Sequence, residues 1–324
     1  MRRLQPNEEG LDAAVRLLEE GELVAFPTET VYGLGADASN PEAVARIFSA
    51  KGRPADHPLI VHLPDSAALP EWVDPVPDDA RRLIAQFWPG PLTLVMRRAS
   101  GVPGVITGGQ DTVGVRVPNH PAARALLKRF GRAVVAPSAN RFGRISPTCA
   151  AHVEREFGDE VAAVIDGGAC PIGVESTILD LTHEPRLLRP GMVRADAISA
   201  VLGYPVVAAQ EGEGPRASGR LASHYAPRTP LEWVEPDGLR SRLEALAGRN
   251  VVVLARSEAP GPRADVRWVQ MPLQPVQFAR GLYSALRQAD AEAPDRIIVE
   301  AVPSSEGWAA IRDRLSRAAT AEYQ

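Results

Sequence analysis

Short apolar runs and helix-periodic stretches alternate along nearly the whole chain, and Gly, Pro or Asn punctuates most of the junctions. That alternation constrains the fold more than any other feature, because strands interleaved with amphipathic helices bury their apolar faces best as helices packed on a sheet. Leu11, Val15 and Leu18 recur at helical spacing, and Gly21 stops that helix. Leu23–Phe26 reads as a short buried strand ending at Pro27. Asn40-Pro41 reads as a helix cap with proline in the first turn, and Ala43, Val44, Ile47 and Phe48 supply that helix's apolar face. Pro58–Leu63 is then a strand.

The same rhythm predicts helices over Ala80–Trp88 and Pro121–Phe130, and one from a Thr148 cap to Phe157. It predicts strands over Leu92–Met96, Val113–Val117, Ala133–Ala136, Val161–Asp166 and Thr177–Leu181. The expected fold is α/β with a twisted mixed sheet over residues 1–207. Residues 208–229 lack an apolar period and read as a linker. Residues 230–324 repeat the strand–helix alternation and read as a small, separate α/β unit with a parallel sheet.

A chain of 324 residues favours two domains over one. The formal net charge of −4 argues against a protein whose main task is gripping a nucleic-acid backbone, so no stable nucleic-acid binding is expected. Cys149 and Cys170 are the only cysteines and form no CxxC pair, which fits a reducing compartment and disfavours a zinc site or disulfide framework. The start of the chain carries no signal-peptide pattern, and no apolar run reaches membrane-spanning length. A cytoplasmic, membrane-free protein is the expectation. No GxxxxGK, GxSxG or HExxH pattern occurs, so no metal site is expected, and Gly33-Leu-Gly35 lacks the context of a dinucleotide fingerprint.

What does carry chemistry is a set of polar clusters at strand ends, where open α/β sheets bind ligands. Thr28 and Thr30 follow the first apolar strand. Lys51-Gly-Arg53-Pro puts two cations on a tight turn, with Arg53 able to engage two oxygens at once and Lys51 acting as a point charge. Arg116 lies inside an apolar strand and needs an anionic partner, either a structural carboxylate or that of a substrate. Ser138, Asn140 and Ser146 offer short polar groups to phosphate or ribose, and Glu175-Ser176-Thr177 gives a further hydroxyl cluster before another strand. Arg189 adds a cation beside Pro-Gly. A small molecule carrying phosphate and carboxylate suits this collection.

The run Pro27-Thr-Glu-Thr-Val-Tyr-Gly-Leu-Gly35, with Lys51-Gly-Arg-Pro54, His57-Pro-Leu-Ile-Val-His62, Ser138-Ala-Asn140, Ser146-Pro-Thr148 and Ser176-Thr177, resembles the YrdC/Sua5 family of threonylcarbamoyl-AMP synthases. The segment His224-Tyr225-Ala-Pro227 resembles that of the longer, Sua5-type branch, which implies a YrdC-like sheet followed by a small Rossmann-like domain. The resemblance implies formation of threonylcarbamoyl-adenylate and pyrophosphate from L-threonine, bicarbonate and ATP with Mg2+. The product would feed a downstream tRNA threonylcarbamoyl transferase complex that makes t6A. It further implies Lys51 and Arg53 as catalytic cations. Thr28, Thr30, His62, Arg116 and Ser176 would hold threonine. Arg53, His57, Thr112, Ser138, Asn140, Ser146, Arg189 and Tyr225 would hold ATP, with Tyr225 closing over the nucleotide. Two other readings use the same residues: an RNA-binding module gripping tRNA or double-stranded RNA, and a carbamoyltransferase of the hydrogenase-maturation type.

Overall fold

A computed structural model describes residues 1–210, 212–220 and 224–319. By its packing the chain divides into two compact units. The first comprises Met1–Phe142 and Ser146–Arg220; the second comprises Gly143–Ile145 and the described part of Leu221–Gln324. Residues 208–210 and 212–220, expected as linker, therefore pack with the first unit.

The first unit contains strands β1 (Arg2–Leu4), β2 (Val24–Phe26), β3 (Gly33–Asp37), β4 (Ile60–His62), β5 (Leu92–Arg97), β6 (Thr112–Arg116), β7 (Val134–Val135), β8 (Ala163–Ile165), β9 (Thr177–Asp180), β10 (Arg186–Arg189) and β11 (Val207–Ala208). They form one mixed sheet in the order β1-β8-β2-β3-β7-β4-β6-β5-β9-β10-β11. Its helices are α1 (Glu8–Glu19), α2 (Pro41–Lys51), α3 (Asp78–Phe87), α4 (Gly104–Thr107), α5 (Pro121–Phe130), α6 (Ala150–Phe157) and α7 (Ala195–Leu202).

Strand periodicity splits the apolar side chains between two faces. Val24 and Phe26 join Leu11, Leu18, Leu126 and Leu127 in a core under α1 and α5. Ala25, between them, belongs to the opposite core with Val44, Ile47, Leu83 and Val153 of α2, α3 and α6. Three layers result, as the alternation of elements requires.

Helix ends follow their sequence signals. Asn40 accepts hydrogen bonds from the Glu42 and Ala43 amides, and Gly52 ends α2 in the left-handed region at φ 61°. Thr148 is not the cap of α6. Cys149 holds that position, and the Thr148 amide donates instead to His152 Nδ1 at 3.2 Å. Strand β3 has no apolar alternation in the sequence. It forms because Gly35 lets neighbours close in: a Cβ there would sit 2.8 Å from the Phe26 ring and 2.9 Å from Val24 O.

The second unit contains strands β12 (Leu231–Val234), β13 (Val251–Ala255), β14 (Val266–Gln270) and β15 (Arg296–Glu300), with helices α8 (Leu239–Ala245), α9 (Pro275–Ala291) and α10 (Ala309–Ala319). Every strand pair is parallel, in the order β12-β15-β13-β14. From β13 the chain continues to β14, whereas from β15 it continues into α10, which packs beside β12. The neighbouring ends of β13 and β15 therefore lie at a topological switch point.

Candidate active site

The turn after β2 is knotted by its own threonine. Thr28 Oγ1 donates to Val31 O at 2.6 Å and accepts from the Thr30 and Val31 amides at 3.2 Å each. The knot presents Thr30, whose Oγ1 lies 2.8 Å from Thr28 Oγ1 and accepts from Arg116 Nη1 at 3.0 Å. Arg116 is only 3 % exposed. Its Nε donates to Gly90 O at 3.1 Å. Its Nη2 lies 2.6 Å from Glu29 Oε1, off the line of a hydrogen bond. Glu29 Oε2 accepts the Asn119 amide at 3.0 Å.

Glu29 is thus a site residue that the sequence reading passed over. A carboxylate flanked by two threonines in an otherwise apolar stretch was its only signal. The need of a buried arginine for an anion could have found it.

Parallel pairing of β4 with β6 sets His62 directly beside Arg116. Burial pushes the His62 imidazolium down to about 3, and the neighbouring Arg116 charge adds to this, so the ring is neutral at physiological pH. Ser176 lies across from Thr93, with the two hydroxyl oxygens 2.8 Å apart. Arg189 donates to Ser176 O at 3.1 Å and to Ser176 Oγ at 3.2 Å.

The loop after β7 is zipped to the Thr28 turn. Leu34 N–H donates to Pro137 O and Ala139 N–H to Tyr32 O, each at 2.8 Å. On this loop the carbonyls of Ser138 and Asn140 receive the Lys51 ammonium, the first at 2.5 Å. Lys51 is 2 % exposed. Burial drives its ammonium well below the ordinary lysine range; the Arg53 charge adds to this and Glu156 opposes it more weakly. Arg53 donates to Pro58 O at 2.9 Å, and its guanidinium lies 5.8 Å from the centre of the Phe142 ring. His57 meets the same ring edge-on at 5.2 Å. Ser146 Oγ donates to Glu175 Oε1 at 2.5 Å, next to Ser176.

A strap formed by Arg216–Ser218 lies over these groups. Arg216 donates to Gly108 O at 2.7 Å, and its amide donates to Gln110 at 2.7 Å. Ser218 Oγ accepts from Arg53 Nη2 and donates to Pro58 O, both at 3.2 Å, while Ser218 O accepts from Arg189 Nη1 at 3.0 Å. Beneath it is a small cleft of about 20 Å³, lined by Ile60, Thr93, Thr112 and Gly114 among others.

Three bonded groups of the first unit therefore contain the expected residues: Thr28, Thr30 and Arg116 with His62 beside it; Arg53, Arg189 and Ser176 joined through Ser218; and Lys51 with the Ser138 and Asn140 carbonyls. Thr112 lines the cleft, and His57 and Ser146 adjoin these groups through Phe142 and Glu175. Tyr225 belongs to the second unit. Its ring stacks on Tyr283 at 5.8 Å, with the Arg314 guanidinium 5.5 Å from its centre, and its backbone is left-handed at φ 63°. Among the described residues no group of three or more His, Cys, Asp or Glu could hold a metal ion.

Comparison with known proteins agrees with this architecture. The family Sua5–YciO–YrdC, described as telomere recombination, matches residues 16–191, and the threonylcarbamoyl-AMP synthase C-terminal domain matches residues 193–320. A threonylcarbamoyl-AMP synthase of Bacillus subtilis strain 168 is 42% identical, over 98% of this chain and 94% of that protein. The one of Pyrococcus abyssi is 42% identical, over 94% and 92%. A crystal structure of P. abyssi Sua5 complexed with L-threonine superposes with a TM-score of 0.88 at 39% identity, over 98% of this chain and 97% of that one. The chain belongs to the Sua5–YciO–YrdC family, in the branch of threonylcarbamoyl-AMP synthases that carry the additional C-terminal domain.

Proposed function

We propose that this chain condenses L-threonine, bicarbonate and ATP into threonylcarbamoyl-AMP and pyrophosphate. The observation that carries this reading is that one unit holds two buried hydrogen-bonded groups, Arg116 with Thr30 and Ser176 with Arg189, Ser218 and Arg53, and that buried Lys51 lies two residues from Arg53. An amino acid and a nucleotide can lie side by side on such a surface. Threonine nitrogen bonds to the carbon of bicarbonate, giving a carbamate with loss of water. A carbamate oxygen then bonds to the α-phosphorus of ATP, and the bond to the departing pyrophosphate breaks with its electron pair. This chemistry needs orientation and charge stabilisation, and no covalent bond to the protein.

In this reading Arg116 pairs with the threonine carboxylate, while Thr30, His62 and Ser176 surround the rest of the amino acid and Thr28 holds the turn. A neutral His62 adds no charge next to Arg116. Lys51 and Arg53 stabilise negative charge at the phosphates. His57, Thr112, Ser138, Asn140, Ser146 and Arg189 line the nucleotide side, and Tyr225 closes over it.

The strap residue Ser218 satisfies Arg53 and Arg189 with neutral oxygens, and ATP would take its place. Mg2+ would accompany ATP as part of the substrate and would offset phosphate charge. The adenylate would pass to a tRNA threonylcarbamoyl transferase complex for t6A formation. No described helix is long and apolar enough to cross a membrane; a cytoplasmic location belongs to this proposal.

Mass detection of the labile adenylate tests the reading. A mixture of protein, threonine, bicarbonate and ATP should yield it, and omission of either threonine or bicarbonate should abolish it. Pyrophosphate release indifferent to threonine would refute the assignment.

A further inference from the structure

The ion pair of Arg116 and Glu29 is buried, closely spaced and incompletely bonded. The two side chains are 4% and 6% exposed. Arg116 spends Nε on Gly90 O and Nη1 on Thr30 Oγ1. Glu29 spends Oε2 on the Asn119 amide. Arg116 Nη2 and Glu29 Oε1 stand 2.6 Å apart, yet neither makes a hydrogen bond among the described residues. A pair that served only to neutralise itself would align these atoms, since arginine and carboxylate commonly share two parallel bonds. Here a charged donor and a charged acceptor are each one partner short in a buried place, where a missing partner is costly.

The frame around Glu29 is fixed independently of Arg116. Its carbonyl accepts the Ile172 amide at 2.9 Å, and the next carbonyl, of Thr30, accepts the Gly173 amide at 3.1 Å. The Thr28 hydroxyl ties the same turn. The carboxylate is therefore preorganised, and the neutral His62 beside Arg116 adds no charge.

We infer that Glu29 binds the ammonium group of L-threonine through Oε1 while Arg116 takes the carboxylate through Nη2. The inference rests on the reading that threonine is the ligand of Arg116. A zwitterion supplies both missing partners at once, a donor for Oε1 and an acceptor for Nη2. It is also electrically matched. A net-neutral ligand enters a net-neutral pair, so no unbalanced charge is buried. A carboxylate lacking the ammonium would leave one net negative charge there. Glu29 is in this way a specificity-determining residue that selects an α-amino acid over the corresponding 2-hydroxy acid.

Calorimetric titration of the full chain with L-threonine and with 2,3-dihydroxybutanoate of matching stereochemistry tests this without turnover. Threonine should bind at least about tenfold more tightly, the scale of one charge-assisted hydrogen bond. Glu29→Gln keeps the shape and an acceptor for the Asn119 amide but removes the charge. It should weaken threonine about ten- to a hundredfold, while the dihydroxy acid binds as well as before or better.

Equal affinity of the unchanged chain for the two acids overturns the inference, whether or not the variant folds. So does equal weakening of both acids in Glu29→Gln, which marks a carboxylate that only steadies Arg116. Preference for threonine without any adenylate sinks the proposed reaction and leaves the ammonium site standing. Adenylate formation with no preference between the acids does the reverse.

Discussion

Two strand-end crevices in this molecule carry arginine, and they treat its charge in opposite ways. In the first unit, Lys51, Arg53 and Arg189 direct their described hydrogen bonds to neutral oxygens: the carbonyls of Ser138, Asn140, Pro58, Ser176 and Ser218 and the hydroxyls of Ser176 and Ser218. In the second, the crevice at the ends of β13 and β15 is closed by the protein's own carboxylate. Glu300 Oε2 accepts the Arg256 and Ser257 amides and the Ser257 hydroxyl, each at 2.8 Å, and Glu300 Oε1 lies 3.4 Å from Arg256 Nη2.

Both places satisfy the rule that buried charge needs partners. The first also pairs Arg116 with Glu29, but the described bonds of its Lys51, Arg53 and Arg189 go to neutral oxygens that a ligand anion could replace. A switch point at strand ends is therefore insufficient to make a nucleotide site. What distinguishes the two is whether the chain has already supplied the anion.

The strongest way to break this contrast is to remove the first unit's cations. Lys51→Ala and Arg53→Ala should each lower the rate of threonine-dependent pyrophosphate release by about 10²–10³-fold, by analogy with loss of one transition-state donor. Circular dichroism should show both variants folded. Full turnover by either variant would remove its assigned role.

Arg116→Ala should act on stability as well as on threonine, since it leaves Glu29 buried without its cation. A loss of about 3–5 kcal/mol is expected in denaturant unfolding. Arg116→Ala combined with Glu29→Gln should regain much of that stability while still failing to bind threonine. If the double substitution restores threonine affinity, the ion pair is structural and the carboxylate is held elsewhere.

Glu300→Gln sharpens the other half of the comparison. It should cost about 1–3 kcal/mol through weakened buried hydrogen bonds and leave the KM for ATP unchanged. A rise in KM there would make the second crevice part of the nucleotide site.

A further prediction concerns pH. Unfolded His62 takes up a proton near pH 6.5, whereas burial beside Arg116 delays this to about 3 in the folded chain. Between those values the unfolded state binds more protons, so stability falls as pH falls, and below about 3 the effect levels off. Burial lowers His57 and His120 in the same direction. His62→Asn should flatten the dependence of unfolding free energy on pH by at most about 1.4 kcal/mol per pH unit. An unchanged slope would mean that His62 titrates normally.

Much of this arrangement was legible in the sequence because the signals were local. Helix α5 spans Pro121–Phe130 as expected, since proline opens it and Gly131 ends it at φ 69°. Strands β12 and β13 likewise coincide with their apolar runs. The cations and hydroxyls of the site were legible as clusters at strand ends.

Features set by distant contacts were not legible. Strand β3 depends on packing against Phe26 and Val24. The strap was read as linker because it has no apolar period; its order comes from polar bonds to Arg53, Arg189 and Gln110. Glu29 was hidden by its threonine neighbours, since its partner Arg116 is far away in the sequence.

Titration of ATP into Arg53→Ala and Arg256→Ala, side by side with the unchanged chain, tests the charge contrast most directly. Arg53→Ala should lose most of its ATP affinity, and Arg256→Ala should retain it. Retained affinity in Arg53→Ala with lost affinity in Arg256→Ala would contradict the account.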